Sequence, residues 1–229
     1  MTQQEKKTLI VTGLAGLLGA LGVGIGEWLM QFTQAGKIDE TTYNYFLDVK
    51  PANLSLGHFL CVLTGPLYFL GYLHLGKALD RENGWLGKTI TGLGIYSFGV
   101  GIAWIGGRVY LGLSRKAVEA GEASPQLFKA LTEHNEPFIT VLRIAILLIS
   151  FLWVFAILKG KSYYPKWMAL LSPILILVSI FVLYATIPAL GKYILPSAMN
   201  VTHLLVFGTS LFYCNKIPVS SEKSSHSPR

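Results

Sequence analysis

Apolar positions run in six long stretches, near residues 8–31, 55–79, 89–113, 135–158, 168–190 and 197–215. Each is long enough for a helix to cross the roughly 30 Å hydrocarbon core of a bilayer. The segments between them are more polar, and two of them, 32–54 and 114–134, are long enough to carry structure of their own. This pattern predicts an all-α, polytopic transmembrane bundle of about six helices, built as one domain over residues 1–217 and followed by a polar tail over 218–229. The Ser/Lys-rich composition of that tail predicts disorder.

Within each run the polar and small residues recur at three- and four-residue steps, so they share one helical face. In chain order these faces read Gly13, Gly16, Ala20, Gly24, Glu27; then His58, Cys61, Gly65, Tyr68, Tyr72; then Gly94, Ser97, Gly101, Trp104, Arg108. The fourth run gives Glu136, Thr140, Arg143, Leu147, Ser150, and the sixth Asn200, His203, Phe207, Ser210, Cys214. Lipid cannot satisfy such faces and small residues permit close helix approach, so they should turn inward.

Two segments outside the runs carry their own signals. Ser124-Pro125 is an N-cap and first-turn pair leading to Leu127, Phe128 and Leu131, which predicts a short interfacial helix. Tyr43, Tyr45, Phe46 and Leu47 read first as an aromatic belt at the headgroups, with folding over the helix ends as the other option.

Charge orients the bundle. Lys6, Lys7, Lys77, Arg81, Lys88, Lys159, Lys161, Lys166 and Lys216 fall at one end, against Lys37, Lys50, Arg115, Lys116, Lys129 and Lys192 at the other. The positive-inside rule then puts both termini in the cytoplasm. Composition agrees with the membrane class: 52% hydrophobic, 14% charged, mean hydropathy +0.50. The formal charge of +7 comes from loop residues, not from a basic stripe, which argues against nucleic acid as a partner. Cys61 and Cys214 sit at opposite ends of their helices and are not expected to bridge.

With six crossings, Glu27, His58, Trp104, Arg108, Glu136, Arg143, Asn200 and His203 all fall in the outer half of the bundle. A helix-centre arginine costs roughly 2.5–3.5 kcal/mol on insertion scales, so Arg108 and Arg143 need partners or water. One explanation is structural: Glu27 pairs with Arg108, and Glu136 with Arg143. The other is an outward-facing polar pocket formed by these eight residues, which would take a small anionic or amphiphilic ligand, for transport or sensing. His74 and Lys77 are expected to reach the interface, leaving the inner half poor in buried polarity.

Two other function classes fit the same residues. A lipid-modifying or hydrolytic enzyme would use Glu27, His58 and His203 around a substrate held by the arginines. A structural or assembly subunit would use the polar faces for packing alone, and Gly22-x-x-x-Gly26 leaves homo-oligomerisation open. The histidines lack the local spacing of a helical metal motif, so no metal site is expected, and no cofactor is assigned.

Gly26-Glu27-x-Leu29, Gly65-Pro66-x-x-x-x-Gly71 and Tyr164-Pro165-Lys166-Trp167-Met168-Ala169-Leu170 together resemble a bacterial family of multispan membrane proteins without an assigned function. The resemblance covers nearly the whole chain. It implies the cytoplasmic (inner) membrane as location and an acidic residue at position 27, and it implies no activity.

Overall fold

The computed structural model describes residues 1–36, 41–82 and 84–219. Lys37 and the tail from Ser220 onward, both used in the sequence expectations above, lie outside them. The described chain is all-α, with ten helices: α1 Gln3–Gln31, α2 Tyr45–Asp48, α3 Pro51–Thr64, α4 Leu67–Leu79, α5 Trp85–Glu119, α6 Pro125–Asn135, α7 Pro137–Leu158, α8 Pro173–Thr186, α9 Pro188–Ile194 and α10 Ala198–Asn215. Tighter 3₁₀ turns cover Lys166–Leu171 and Leu195–Ser197.

Local chemistry sets the boundaries. Thr2 caps α1 reciprocally with Glu5, through backbone-to-side-chain bonds of 2.8 and 3.2 Å. Ser124 caps α6 by accepting the Leu127 N–H at 3.1 Å, as the Ser-Pro pair predicts. Pro66 bends α3 against α4 by 43°. Two further prolines shorten the fifth expected helix: Ser172 (ψ 142°) and Ile187 (ψ 70°), each preceding a proline, leave helical geometry. The expected 168–190 run therefore holds only fourteen helical residues in α8, about 21 Å at 1.5 Å per residue.

Four continuous helical stretches are long and apolar enough to cross a membrane: Gln3–Gln31, Trp85–Glu119, Pro125–Leu158 and Pro188–Asn215. The bent pair α3–α4 makes a fifth. Contacts fix the two ends of the bundle. At one, Lys6 Nζ donates to the Ile217 carbonyl at 2.8 Å, and the Tyr163 N–H donates to Ala78 O at 2.9 Å, joining both termini with the loops after α4 and α7. At the other, Tyr184 OH reaches Gly36 O at 2.9 Å and Arg115 reaches Asn44 Oδ1 at 2.7 Å. The chain thus passes six times between the ends, α8 being the shortest pass.

α1 lies against α3, α4 and α10, and α5 against α4 and α7. The α1–α4 crossing depends on glycine: a Cβ on Gly16 would stand 2.5 Å from Gly71 Cα. The periphery is apolar and exposed, with Leu14, Leu18, Leu21 and Ile25 on α1, Phe59 and Leu63 on α3, and Ile144, Leu148 and Phe151 on α7. An apolar surface of that extent belongs against lipid.

Candidate functional site

The most buried charge is Arg108 on α5, with no exposed surface. Its Nη1 donates to Glu136 Oε1 at 3.1 Å and its Nη2 to Gln31 Oε1 at 3.4 Å and to the Tyr45 hydroxyl. The guanidinium also lies 4.7 Å from the Trp104 ring centroid and 5.5 Å from that of Phe46. Tyr43, Tyr45 and Phe46 are therefore buried over the helix ends and do not form a headgroup belt; a desolvated guanidinium gives that aromatic loop a reason to fold inward. Phe128 of α6 closes over it, edge-on to Tyr43 at 5.8 Å.

This geometry redirects one of the ion pairs expected from spacing. Glu136 sits at the α6–α7 junction and turns toward Arg108 on the neighbouring helix, not along its own helix to Arg143. Glu27 accepts from Asn200 Nδ2 at 2.5 Å, and Asn200 Oδ1 accepts from the Tyr68 hydroxyl at 2.6 Å. This linkage fixes α1, α10 and α4 to one another at one depth. One turn further along α10, His203 Nδ1 meets the Met199 carbonyl at 2.8 Å. A carbonyl only accepts, so Nδ1 carries the proton, and in the neutral ring Nε2 accepts from the Tyr72 hydroxyl at 2.8 Å.

Beside these networks lies a groove of about 710 Å³, whose polar lining is Glu27, Gln31, Trp104 and Arg143. The rest of the lining is apolar and includes Ile144 and Leu147 on α7, and Ile174, Leu177 and Phe181 on α8. α7 and α8 meet where Ser150 Oγ accepts the Ile174 N–H at 2.9 Å, and the groove extends from there toward the polar end. Ile144, Leu147 and Phe181 are each at least half exposed, so the groove opens sideways onto the lipid-facing surface. A smaller chamber of about 90 Å³ lies behind Glu27, Trp104, Ile139 and Met199, which line both spaces, and reaches Tyr68 and Asn200.

Two donors in the groove wall lack acceptors among the described residues: Gln31 Nε2 and Trp104 Nε1, on side chains 4% and 6% exposed. Arg108 fixes the Gln31 amide, because a guanidinium can only donate; Oε1 faces Arg108 and Nε2 is left without a partner. An unmet buried donor costs roughly 1–3 kcal/mol, which an acceptor-bearing guest would recover.

Of the eight residues proposed from sequence, Glu27, Trp104 and Arg143 line the groove, and Asn200 lines the chamber behind it. Arg108 and Glu136 form the support, and His203 is enclosed by Tyr68, Tyr72, Phe98 and Phe207. His58 stands apart, edge-on to Phe59 and Tyr110 at 5.4 and 6.1 Å. Gln31 was missed, although its i+4 spacing from Glu27 puts it on the same face. The half of the bundle toward Lys6 and Ile217 is also more polar than expected. His74 is fully buried and does not reach the interface: Nδ1 meets Leu9 O at 2.7 Å and Nε2 meets Ser210 Oγ at 2.5 Å, tying α1, α4 and α10 together. Among the described residues no three of His, Cys, Asp and Glu gather where they could hold a metal ion.

Four to five helical spans long and apolar enough to cross a membrane, an apolar periphery and buried polar ties between helices define a multi-pass helical bundle of the membrane type. The chain belongs to the family of unknown function DUF6796, whose model matches residues 1–217. No curated protein and no solved structure matches it.

Proposed function

We propose that this protein resides in a bacterial inner membrane with both termini cytoplasmic, and binds an amphiphile whose acceptor-rich head, a carboxylate or phosphate, enters the groove between α7 and α8. The observation that carries this is the pair of buried, unmet donors, Gln31 Nε2 and Trp104 Nε1, lining the same groove as Arg143. The apolar wall from Leu147 to Phe181 suits the guest's hydrocarbon, and the lateral opening lets it arrive from the bilayer. Transport or sensing would build on this binding step. A hydrolytic reading draws less support, because His58 lies against Phe59 and Tyr110 and His203 is committed to Tyr72 and Met199.

Titrating the purified protein with palmitate and with phosphatidylglycerol, read by native mass spectrometry, tests this. Arg143→Gln should weaken retention about tenfold and Trp104→Phe about fivefold, the factors expected for a charged and a neutral hydrogen bond. Trp104→Phe keeps an aromatic face for Arg108, so its folding should hold. Equal retention by wild type and both variants would remove the proposal.

A further inference from the structure

At the end that carries both termini, a second cavity of about 380 Å³ is lined by Glu5, Lys77, Asp80, Arg81 and Tyr163, with Met1 and Leu9 beside them. We propose that it binds the zwitterionic headgroup of a lipid carrying a primary ammonium and a phosphate. The proposal is independent of the groove at the opposite end.

Asp80 is the decisive residue. It ends α4, is 2% exposed, and its Oδ2 accepts the Gly87 N–H at 3.0 Å. Its Oδ1 is buried and has no partner among the described residues. A buried carboxylate oxygen without a donor is unfavourable, and an ammonium supplies up to three donors. A quaternary choline nitrogen has none, so the site should distinguish the two headgroups.

The cationic side of the cavity suits the phosphate. Lys77, one turn before Asp80, shares the cavity lining with Glu5, whose carboxylate it attracts electrostatically. Arg81 is positioned by the loop after α7: Nη2 donates to Gly160 O at 2.6 Å, and the guanidinium carbon lies 5.9 Å from the Tyr163 ring centroid. One of its five N–H donors is used there, leaving others for an anion. The lining thus carries both signs, Glu5 and Asp80 against Lys77 and Arg81, as a zwitterionic headgroup requires.

The cavity also lies at headgroup depth. Trp85 opens α5 and Trp167 lies in the turn before α8, both at this end and 63% and 50% exposed, as interfacial tryptophans are. Its volume falls within the ~300–1,000 Å³ range of ligand pockets.

The test is native mass spectrometry of the full chain in detergent, titrated separately with phosphatidylethanolamine and phosphatidylcholine of matched acyl chains. Wild type should retain phosphatidylethanolamine about tenfold better. Asp80→Asn keeps an acceptor for the Gly87 N–H and should abolish the preference. Lys77→Gln, on an exposed side chain that folding does not need, should weaken both lipids through the phosphate. Equal retention of the two lipids by wild type overturns the proposal, as does a preference that survives Asp80→Asn. If Asp80→Asn does not fold, unchanged retention by Lys77→Gln overturns it instead. Soluble phosphoethanolamine separates the sources: displacement of the lipid supports a headgroup site, while Asp80-dependent binding of phosphoethanolamine without lipid binding overturns the lipid assignment in favour of a free zwitterion.

Discussion

Arg108 is tolerated inside an apolar bundle because a carboxylate, an amide oxygen, a phenol and aromatic rings surround its guanidinium. Replacing it by glutamine removes the charge-assisted bonds and leaves Glu136 without its counter-charge. We expect Arg108→Gln to lower stability by about 3 kcal/mol. Glu136→Gln should cost about 1 kcal/mol, because an amide oxygen can still accept and the side chain is partly exposed. Thermal unfolding in detergent measures both, and equal losses would mean the pair does not organise the loop. Sequence spacing identified both residues but not their pairing, since Glu136 at a helix junction can turn toward either of two arginines.

The close approach of α1 to α4 leaves no room for a side chain at Gly16. Gly16→Val would drive a side chain into Gly71 and the Phe207 ring, with an expected loss of about 1–3 kcal/mol. Gly92 on α5 has nothing within 4 Å of where a Cβ would stand, so Gly92→Ala should be neutral or gain up to about 1 kcal/mol from helix propensity. Chemical denaturation of the two variants side by side checks the contrast. Periodicity puts Gly16 on an inward face and leaves Gly92 off one, but only the structure shows how near each neighbour stands. Pro66, Pro173 and Pro188 each mark an interruption, and α8 is shorter than the apolar run 168–190 predicts.

The bundle as a whole should have one sidedness. Cysteines introduced at Glu82 and Glu122, both exposed, lie at opposite ends, and the native Cys61 and Cys214 are buried. With the termini cytoplasmic, an impermeant maleimide should label Glu122→Cys in intact cells and Glu82→Cys only after lysis. Labelling of both from outside would refute the six-pass arrangement, and the reverse pattern would invert its orientation.

Hydrophobic periodicity alone determined that this chain is an all-α bundle with inward polar faces, because lipid leaves backbone and side-chain polar groups few other solutions. It also named three of the four polar residues that line the groove, since buried polarity is scarce enough in such helices to stand out. Which of those residues meet was decided only in three dimensions. Rotation and depth of each helix put Glu136 on Arg108, Glu27 on Asn200 and His58 away from both, and folded the Tyr43–Phe46 loop inward. The unmet atoms of Gln31, Trp104 and Asp80 are likewise tertiary facts, because whether a donor or acceptor is satisfied depends on neighbours from other helices, and no single-helix pattern records them.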